Sequence, residues 1–139
     1  MNKIFPSAAA ALQGVVADGQ LLAVPFEGGA PRVVSNPHPP EMGFRYYLHG
    51  VSPDGDWLAY VGLRTAAAGF DYGLYLVPAQ GGADRELLRP GVPVDGPEYS
   101  PDGAWIYFNG EIGATRAGHS QLFRMRPDGI GLEQLTHLF

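Results

Sequence analysis

The most regular pattern along the chain is a polar turn followed by a run of residues that is apolar on both faces. Residues 52–57 read Ser-Pro-Asp-Gly-Asp-Trp, and residues 100–105 repeat them as Ser-Pro-Asp-Gly-Ala-Trp, 48 positions later. A strand with one solvated face alternates apolar and polar residues. The run after the first turn is apolar at both alternating sets, so it predicts a strand that is covered on both faces. One face carries Trp57, Ala59 and Val61, and the other carries Leu58 and Tyr60.

Three hairpin-like segments accompany these turns. Residues 74–88 combine two apolar runs around a Gly-Gly turn, residues 122–136 match them 48 positions later, and residues 21–34 match them 53 positions earlier. Two strand-like runs around a Gly-containing turn are typical of an antiparallel hairpin. Each segment therefore predicts two paired strands.

Joining the turns to the hairpins predicts a repeat of four strands, a to d. In the turn, Pro fixes φ, Asp bonds its own backbone and Gly supplies a left-handed conformation. The incomplete first copy has c and d strands within residues 21–34 and a candidate b strand at residues 12–17. In the two complete copies the predicted strands are 48–51, 57–61, 74–77 and 85–88, then 97–99, 105–108, 122–125 and 133–136.

Repetition at a fixed period predicts an architecture. An antiparallel four-stranded unit of about 45 residues, covered on both faces by copies of itself, is a β-propeller blade. We therefore predict an all-β fold of about two and a half to three blades, forming a single partial propeller. The incomplete blade is residues 1–37, and the complete blades are residues 38–89 and 90–139.

The repeated residues resemble the WD-repeat-like blades of TolB-type propellers. The similarity comprises Ser-Pro-Asp-Gly-x-Trp, then Leu-Tyr-x-x-Pro-x-x-Gly-Gly at residues 74–82, then Arg-x-Leu at residues 85–87, and it covers about residues 20–137. It implies a non-catalytic scaffold that binds a partner, in the periplasm. The same blade occurs in peptidase propellers and polysaccharide lyases, so fold alone does not fix function. The alternative is an enzyme-associated propeller, either sugar-binding and similar to oligogalacturonide lyases or regulatory for a peptidase.

The resemblance also implies a ring of six blades, which is more than this chain encodes. A partial ring is expected to leave apolar faces and strand edges bare, which favours association. Two explanations remain open: a fragment of a longer propeller, or a homo-oligomer in which two copies complete one ring. In both cases we expect that the chain alone is not a stable monomer.

The loops predict where binding occurs. The a–b and c–d turns are short and share one end of the sheets, whereas the b–c loops (residues 62–73 and 109–121) and the d–a linkers (35–47 and 89–96) are long and share the other. Divergent loops on a regular scaffold are where binding usually resides. We predict that this end, called the variable end, contacts a protein partner or a glycan. The candidate binding residues are Arg45, Tyr47, His49, Asp71, Tyr72, Asp95, Glu98, Arg116 and His119.

Strand a is innermost in a propeller, which places His49 and Glu98 near a central channel. Similarity to the lyase propellers implies a His cluster and a metal for His49. A metal site needs three or four converging ligands, and His38, His119 and His137 show no ligand spacing. A structural role for His49 is favoured, and we expect no catalytic residue, metal or cofactor.

Composition argues against two classes of partner, nucleic acid and the membrane interior. The net charge is −5, which gives no electrostatic footprint for nucleic acid. The chain has no Cys, and no run approaches the roughly 20 apolar residues that span a bilayer, so we expect no membrane insertion. The N-terminal residues do not form a convincing signal peptide, which leaves the compartment open.

Overall fold

The computed structural model describes residues 22–23, 30–34, 43–67 and 69–137 of the 139-residue chain. Within these ranges the chain forms strands and turns and no helix. The predicted b strand at residues 12–17 lies outside the described residues.

The strands form one short hairpin and two four-stranded sheets. The pairing is antiparallel throughout, with β1 against β2, then β3-β4-β5-β6 in chain order as the second sheet and β7-β8-β9-β10 as the third sheet. This confirms the predicted four-strand repeat. The strands are β1 (Leu22–Ala23), β2 (Arg32–Val33), β3 (Arg45–Val51), β4 (Trp57–Ala66), β5 (Gly69–Pro78), β6 (Arg85–Leu88), β7 (Val94–Tyr99), β8 (Ile106–Gly110), β9 (Gln121–Met125) and β10 (Glu133–Gln134).

The Ser-Pro-Asp-Gly turns have the predicted local chemistry. The Ser52 hydroxyl donates to Asp54 Oδ1 at 2.5 Å, and the same oxygen accepts the Asp56 N–H at 3.0 Å. The hydrogen bond from Ser52, followed by that from the Asp56 backbone, holds the pKa of Asp54 below its usual value. Gly55 closes the turn at φ +78°, in the left-handed region that Gly tolerates best. The turn at residues 100–105 repeats these bonds.

The b–c connection of the second sheet differs from the prediction. Residues 62–73 were expected to be a long loop, but β4 continues to Ala66 and β5 begins at Gly69. A glycine within an apolar run usually indicates that a strand ends there. Gly62 and Gly73 instead lie opposite each other, paired between β4 and β5. A Cβ on Gly62 would lie 2.4 Å from Phe44 Cζ. The two glycines therefore leave space for aromatic rings inside a continuous hairpin.

The d–a linkers are also shorter than predicted. β3 begins at Arg45 and β7 at Val94, so the predicted linkers 35–47 and 89–96 each end inside a strand. A register shift between Asp95 and Glu98, at the Gly-Pro pair, interrupts β7. β3 pairs with β4, and β7 pairs with β8. This pairing extends β3 and β7 beyond the residues that were predicted as strand.

The second and third sheets pack face to face, as the apolar alternation predicts. Ala59, Leu76 and Ile106 form one buried cluster between them, and a second cluster lies nearer the variable end. Burial of these side chains is the main favourable term that holds the sheets together. The second cluster consists of Val61, Leu63, Leu74, Val94, Phe108, Phe123 and Met125.

The opposite face of the second sheet carries an aromatic stack. The Tyr60 and Tyr75 rings lie 5.3 Å apart at 16°, and Phe44 meets Tyr75 edge-on at 5.9 Å. Val34, just after β2, is buried in the same cluster. The Arg32 side chain donates to the Ala79 carbonyl at 2.9 Å. The residues around β2 therefore cover this face, which confirms that the second sheet is packed on both sides.

The buried stack makes the fold sensitive to alkaline pH. Tyr60 is 0% exposed, and its hydroxyl donates to Asp84 Oδ2 at 2.5 Å. Burial, and then the hydrogen bond to Asp84, raise the pKa of Tyr60 well above its usual value. Because the folded state keeps this proton after the unfolded state has lost it, the contribution of Tyr60 is complete below about pH 10 and falls as pH rises further.

We expect Tyr60→Phe to reduce this alkaline loss. A tyrosine that stays protonated only in the folded state loses about 1.4 kcal/mol of stability by pH 11. The variant should be about 1 kcal/mol less stable than the wild type at pH 8, where it lacks the Asp84 bond, and close to it at pH 11. Urea unfolding at the two pH values, followed by tryptophan fluorescence, measures this difference.

Ile106→Val serves as the matched control. This substitution should lower the free energy of unfolding by about 0.5–1.5 kcal/mol, because Ile106 is fully buried, and it removes no titrating group. Between pH 8 and pH 11 the free energy of unfolding of this variant should fall by as much as that of the wild type. Equal losses in Tyr60→Phe and the wild type would contradict the assignment.

The far side of the third sheet differs from the expected bare apolar face. Arg124 lies over the Trp105 ring, 4.1 Å from its centroid, and pairs with Glu133 at 2.7 Å. This surface is mixed in character, so an apolar blade would bury less apolar area on it than on the second sheet. It carries Tyr107, Asn109 and Arg124 where the second sheet has Ala59, Val61 and Leu76.

Candidate functional site

A cleft of about 320 Å³ opens between the second and third sheets at the variable end. Its floor is apolar and its rim carries two tyrosines and one carboxylate. It lies beside the buried cluster that joins the sheets, so both of its walls are fixed by packing. The lining residues are Tyr47, Val61, Leu63, Tyr72, Pro93, Val94 and Asp95.

Strand alternation positions the wall from the second sheet. Val61 and Leu63 are two apart on β4, and therefore share the face that meets the third sheet. Tyr72 lies directly opposite Leu63 on β5, and Tyr47 lies directly opposite Val61 on β3. Three neighbouring strands therefore each place a side chain on this wall.

The wall from the third sheet is the start of β7. Val94 is buried and belongs to the joining cluster, whereas Asp95 is exposed at the rim. Asp95 Oδ1 accepts the Gly96 N–H at 2.8 Å, and Gly96 has φ +62°. The carboxylate is therefore held by its own turn.

The b–c loop of the third sheet supports this wall from behind. The Glu111 N–H donates to the Pro93 carbonyl at 3.0 Å, and the Glu111 side chain accepts the Gly118 N–H at 3.0 Å. Ile112 packs against the joining cluster. The hydrogen bond from Glu111 therefore fixes the position of Pro93.

The structure brings three of the nine predicted binding residues together. Tyr47, Tyr72 and Asp95 line the cleft. Asp71 precedes Tyr72 on a strand, and so it points to the opposite face of the second sheet. There its carboxylate lies 3.5 Å from Arg89 Nε. Asp71 and Tyr72 were both expected in a loop, whereas they lie on β5 and point to opposite faces of the sheet.

Asp71 belongs to a polar network at the edge of the aromatic stack. The Tyr75 hydroxyl accepts from Arg64 and Arg89, each at 3.1 Å, and donates to Glu86 at 3.1 Å. Arg89 also pairs with Glu86. This arrangement satisfies the hydroxyl of a buried tyrosine, so the network is accounted for by stability.

Four more of the predicted residues, Arg45, Glu98, Arg116 and His119, do not line the cleft. Arg45 stacks over Phe70 at 5.8 Å, and Glu98 is exposed further along β7. Arg116 and His119 lie in the loop after β8, with the His119 N–H donating to the Arg116 carbonyl at 3.4 Å. His49 lies in β3, and its side chain is outside the described part of the structure. The innermost strands do meet closely, since a Cβ on Gly50 would lie 2.6 Å from the Pro97 carbonyl oxygen.

The residues of the cleft floor were not among the predicted binding residues. Leu63, Pro93 and Val94 were taken as loop or linker residues, and Val61 as buried strand. The apolar alternation of Val61 and Leu63 is a signal that could have extended the strand. Floor and rim together make a site that can hold an apolar stem with a polar head.

A smaller hollow of about 160 Å³ lies between the two sheets at the opposite end, beside the Ser-Pro-Asp-Gly turns. Arg85 lies over the Trp57 ring at 5.8 Å and donates to the Pro127 carbonyl. Burial raises the pKa of Tyr99 to about 12. These contacts join the two sheets, so they are explained by packing.

Among the described residues, no group of three or more His, Asp or Glu side chains is placed to hold a metal ion. No helix in those ranges is long and apolar enough to cross a membrane.

Comparison with known proteins supports the fold. A solved structure from Agrobacterium tumefaciens, described as TolB, is 34% identical and has a TM-score of 0.67, covering 86% of this chain and 38% of that one. A curated, uncharacterised protein of Agrobacterium fabrum is 35% identical over 137 residues, covering 88% of this chain and 42% of its own length. TolB from Acinetobacter baumannii aligns at 15% identity with a TM-score of 0.41. No protein-family profile matches the chain.

The 34% identical Agrobacterium tumefaciens structure and the sheets establish a TolB-like β-propeller fold. The predicted all-β class and the predicted resemblance are both confirmed. The chain spans about 42% of the length of the curated relative and 38% of the length of the solved one. The shared fold does not identify the function of this chain, because the same fold occurs in proteins with many different functions.

Proposed function

We propose that this TolB-like propeller segment is a non-catalytic binding scaffold, and that its cleft at the variable end holds a side chain from a partner protein. The observation that carries the proposal is a concave, apolar floor rimmed by Tyr47, Tyr72 and Asp95. Tyrosine is enriched among the residues that dominate protein–protein binding energy. Tyr47 is 46% exposed, so its ring is accessible to a partner.

The size of the cleft favours a single anchoring side chain. Its volume of about 320 Å³ is at the lower end of the range for ligand sites. A cleft of this size holds one large side chain, and the surrounding loops would contact the flanking residues. The lining supplies one carboxylate and two phenols, with no nucleophile beside a base, which supports binding rather than catalysis.

A displayed library of random peptides tests the proposal. We expect peptides selected on the wild-type protein to lose at least tenfold in affinity on Tyr72→Ala, because truncating a tyrosine that acts as a binding hot spot costs about 2 kcal/mol or more. Amide shifts from the selected peptides should map to Tyr47, Tyr72 and Asp95 in NMR spectra.

Phe70→Ala is the matched control, because it removes an aromatic ring from the same face of β5 at a position 47% exposed and outside the cleft. It should leave peptide affinity within about twofold. Peptides that bind Tyr72→Ala as well as the wild type would overturn the proposal. Glycan binding at the same residues, with no peptide selected, would favour the sugar-binding alternative.

Self-association, which the sequence predicts from the partial ring, stays a prediction, because the structure describes a single chain. The same applies to the choice between a dimer that completes a ring and a longer chain that supplies further blades.

A further inference from the structure

We propose that Gly50 is a positioning residue of the cleft: its contact with Pro97 sets the spacing of β3 and β7 and so limits the size of the partner side chain that the cleft accepts. This inference rests on the proposed binding function. The cleft opens between the second sheet and the start of β7, and Tyr47 of β3 and Val94 of β7 line it. The spacing of these two strands therefore sets its width.

Gly50 lies where the two innermost strands touch. A Cβ at this position would lie 2.6 Å from the Pro97 carbonyl oxygen and 3.2 Å from Glu98 Cα. Both atoms belong to the backbone, so no side-chain rotation makes room for a methyl group. Gly50 and Pro97 are both buried. A larger residue at position 50 would therefore push β7 away from β3.

A β-bulge in β3 directs position 50 towards the third sheet. Gly50 and Tyr47 are three residues apart, and in a regular strand they would face opposite sides of the sheet. The register shifts by one residue just before Gly50, so that Tyr47 lies opposite Val61. Gly50 lies opposite Ala59, which shares with Val61 the face that meets the third sheet. Directly opposed residues share a face, so the contact at Gly50 and the cleft wall at Tyr47 are on the same side of β3.

β7 carries a matching irregularity. Its register also shifts by one residue, between Asp95 and Glu98, and Pro97 lies within this segment. Val94 before the shift and Tyr99 after it both pack in clusters shared with the second sheet. Bulges bend a strand and redirect its residues, and they are frequent beside functional sites. The two strands that flank the cleft therefore both depart from regular pairing where they meet.

The distance from this contact to the cleft is short. Gly50 is three residues from Tyr47, and Pro97 is three residues from Val94, which is about 10 Å along an extended strand. The pairing of β3 with β4 and of β7 with β8 holds each strand in its sheet. Close-packed interiors transmit strain. A separation forced at Gly50 should therefore widen the cleft.

Two probes of different size test the role of Gly50. Nα-acetyl-leucine methylamide and Nα-acetyl-tryptophan methylamide both present an apolar side chain, and that of tryptophan is larger. In NMR titrations of the ¹⁵N-labelled protein, we expect the ratio of tryptophan affinity to leucine affinity to be at least about threefold higher in Gly50→Ala than in the wild type. The amide signals of Tyr47 and Val94 should also shift in this variant before any probe is added.

Gly55→Ala is the matched control. Gly55 lies in a turn at the opposite end of the second sheet, at φ +78°, and no described residue beyond its chain neighbours lies within 4 Å of an added Cβ. Alanine there strains the backbone without pushing on β7. It should lower the urea midpoint but leave the affinity ratio and the cleft signals as in the wild type. An unchanged ratio in Gly50→Ala would overturn the role of Gly50.

The wild type supplies a second measurement that does not depend on how well the variant folds. A nuclear Overhauser effect is expected between the Hα protons of Gly50 and Glu98, since Glu98 Cα faces the position of the missing Cβ. Its absence would show that β3 and β7 do not touch there, which would also overturn the inference.

The two proposals fail differently. If the peptides selected on the wild type depend on Tyr72 but the affinity ratio is the same in Gly50→Ala, the binding function stands and the role of Gly50 is wrong. If those peptides bind Tyr72→Ala as well as the wild type, the binding function is wrong and the size selection falls with it, even where Gly50→Ala shifts the cleft signals.

Discussion

Phe108→Ala is expected to lower the free energy of unfolding by about 3–5 kcal/mol, the largest effect we predict for a single substitution. Phe108 is 1% exposed and lies opposite Phe123 in the third sheet, with ring centroids 5.7 Å apart. Its side chain fills the cluster that joins the second and third sheets. Alanine would remove the aromatic ring, and with it most of the apolar surface that Phe108 buries in this cluster, and would leave a cavity there.

Urea unfolding followed by tryptophan fluorescence measures the loss. Val61, Leu63 and Val94 belong both to this cluster and to the cleft, so the NMR amide signals of the cleft should shift in the same variant. Ile130→Ala is the control, because Ile130 is 63% exposed and its loss should change stability by less than about 0.5 kcal/mol. Similar stability for the two variants would contradict the assignment of this interface as the main core.

Gly62→Ala is expected to cost about 1–3 kcal/mol, although alanine suits a strand better than glycine. The new Cβ would lie 2.4 Å from Phe44 Cζ and 2.7 Å from Tyr75 Cε2. Tyr75 is 4% exposed and its hydroxyl is held by three hydrogen bonds, so its ring cannot shift freely. The cost should therefore come from steric overlap in the aromatic stack.

A double-mutant cycle with Phe44→Leu isolates the overlap. Leucine removes the ring atoms nearest to the new methyl, so the double variant should be about 1 kcal/mol more stable than the sum of the single losses predicts. Thermal unfolding of the four proteins supplies the values. Strict additivity would show that the cost arises from somewhere other than the contact with Phe44.

Local chemistry explains why the turns were predictable. In the turn at residues 52–57, the serine hydroxyl, the aspartate carboxylate and the left-handed glycine satisfy one another within six residues. Nothing distant is needed for this geometry, so two copies 48 residues apart adopt it alike. The same holds for the hairpin between β5 and β6, whose predicted d strand matches β6 at both ends.

The extended hairpin between β4 and β5 was not predictable in the same way. Gly62 and Gly73 normally indicate the end of a strand. A Cβ at Gly62 would meet the rings of Phe44, just before β3, and of Tyr75 on β5, and a Cβ at Gly73 would meet the Tyr75 ring. A pattern along the chain does not show which ring will lie over which residue.

The candidate site shows the same division. Tyr47, Tyr72 and Asp95 were selected as members of loops that share one end of the sheets, and the three line one cleft. Asp71 was selected by the same rule and lies on the opposite face. Because residues 69–78 form a strand, neighbouring side chains point to opposite faces of the sheet. Only every second residue of this segment can therefore face the cleft.

The chain's own pattern was enough to predict the all-β class, the four-strand repeat, the turn conformations and the packing of the second sheet on both faces. These properties depend on period and on bonds between near neighbours. Tertiary contacts fix where β4 and β5 end and which side chains face the cleft. Those outcomes depend on residues that are far apart in the chain and come together on folding, such as Phe44 at Gly62, or Val61 and Phe108 in one buried cluster, and no local pattern contains them.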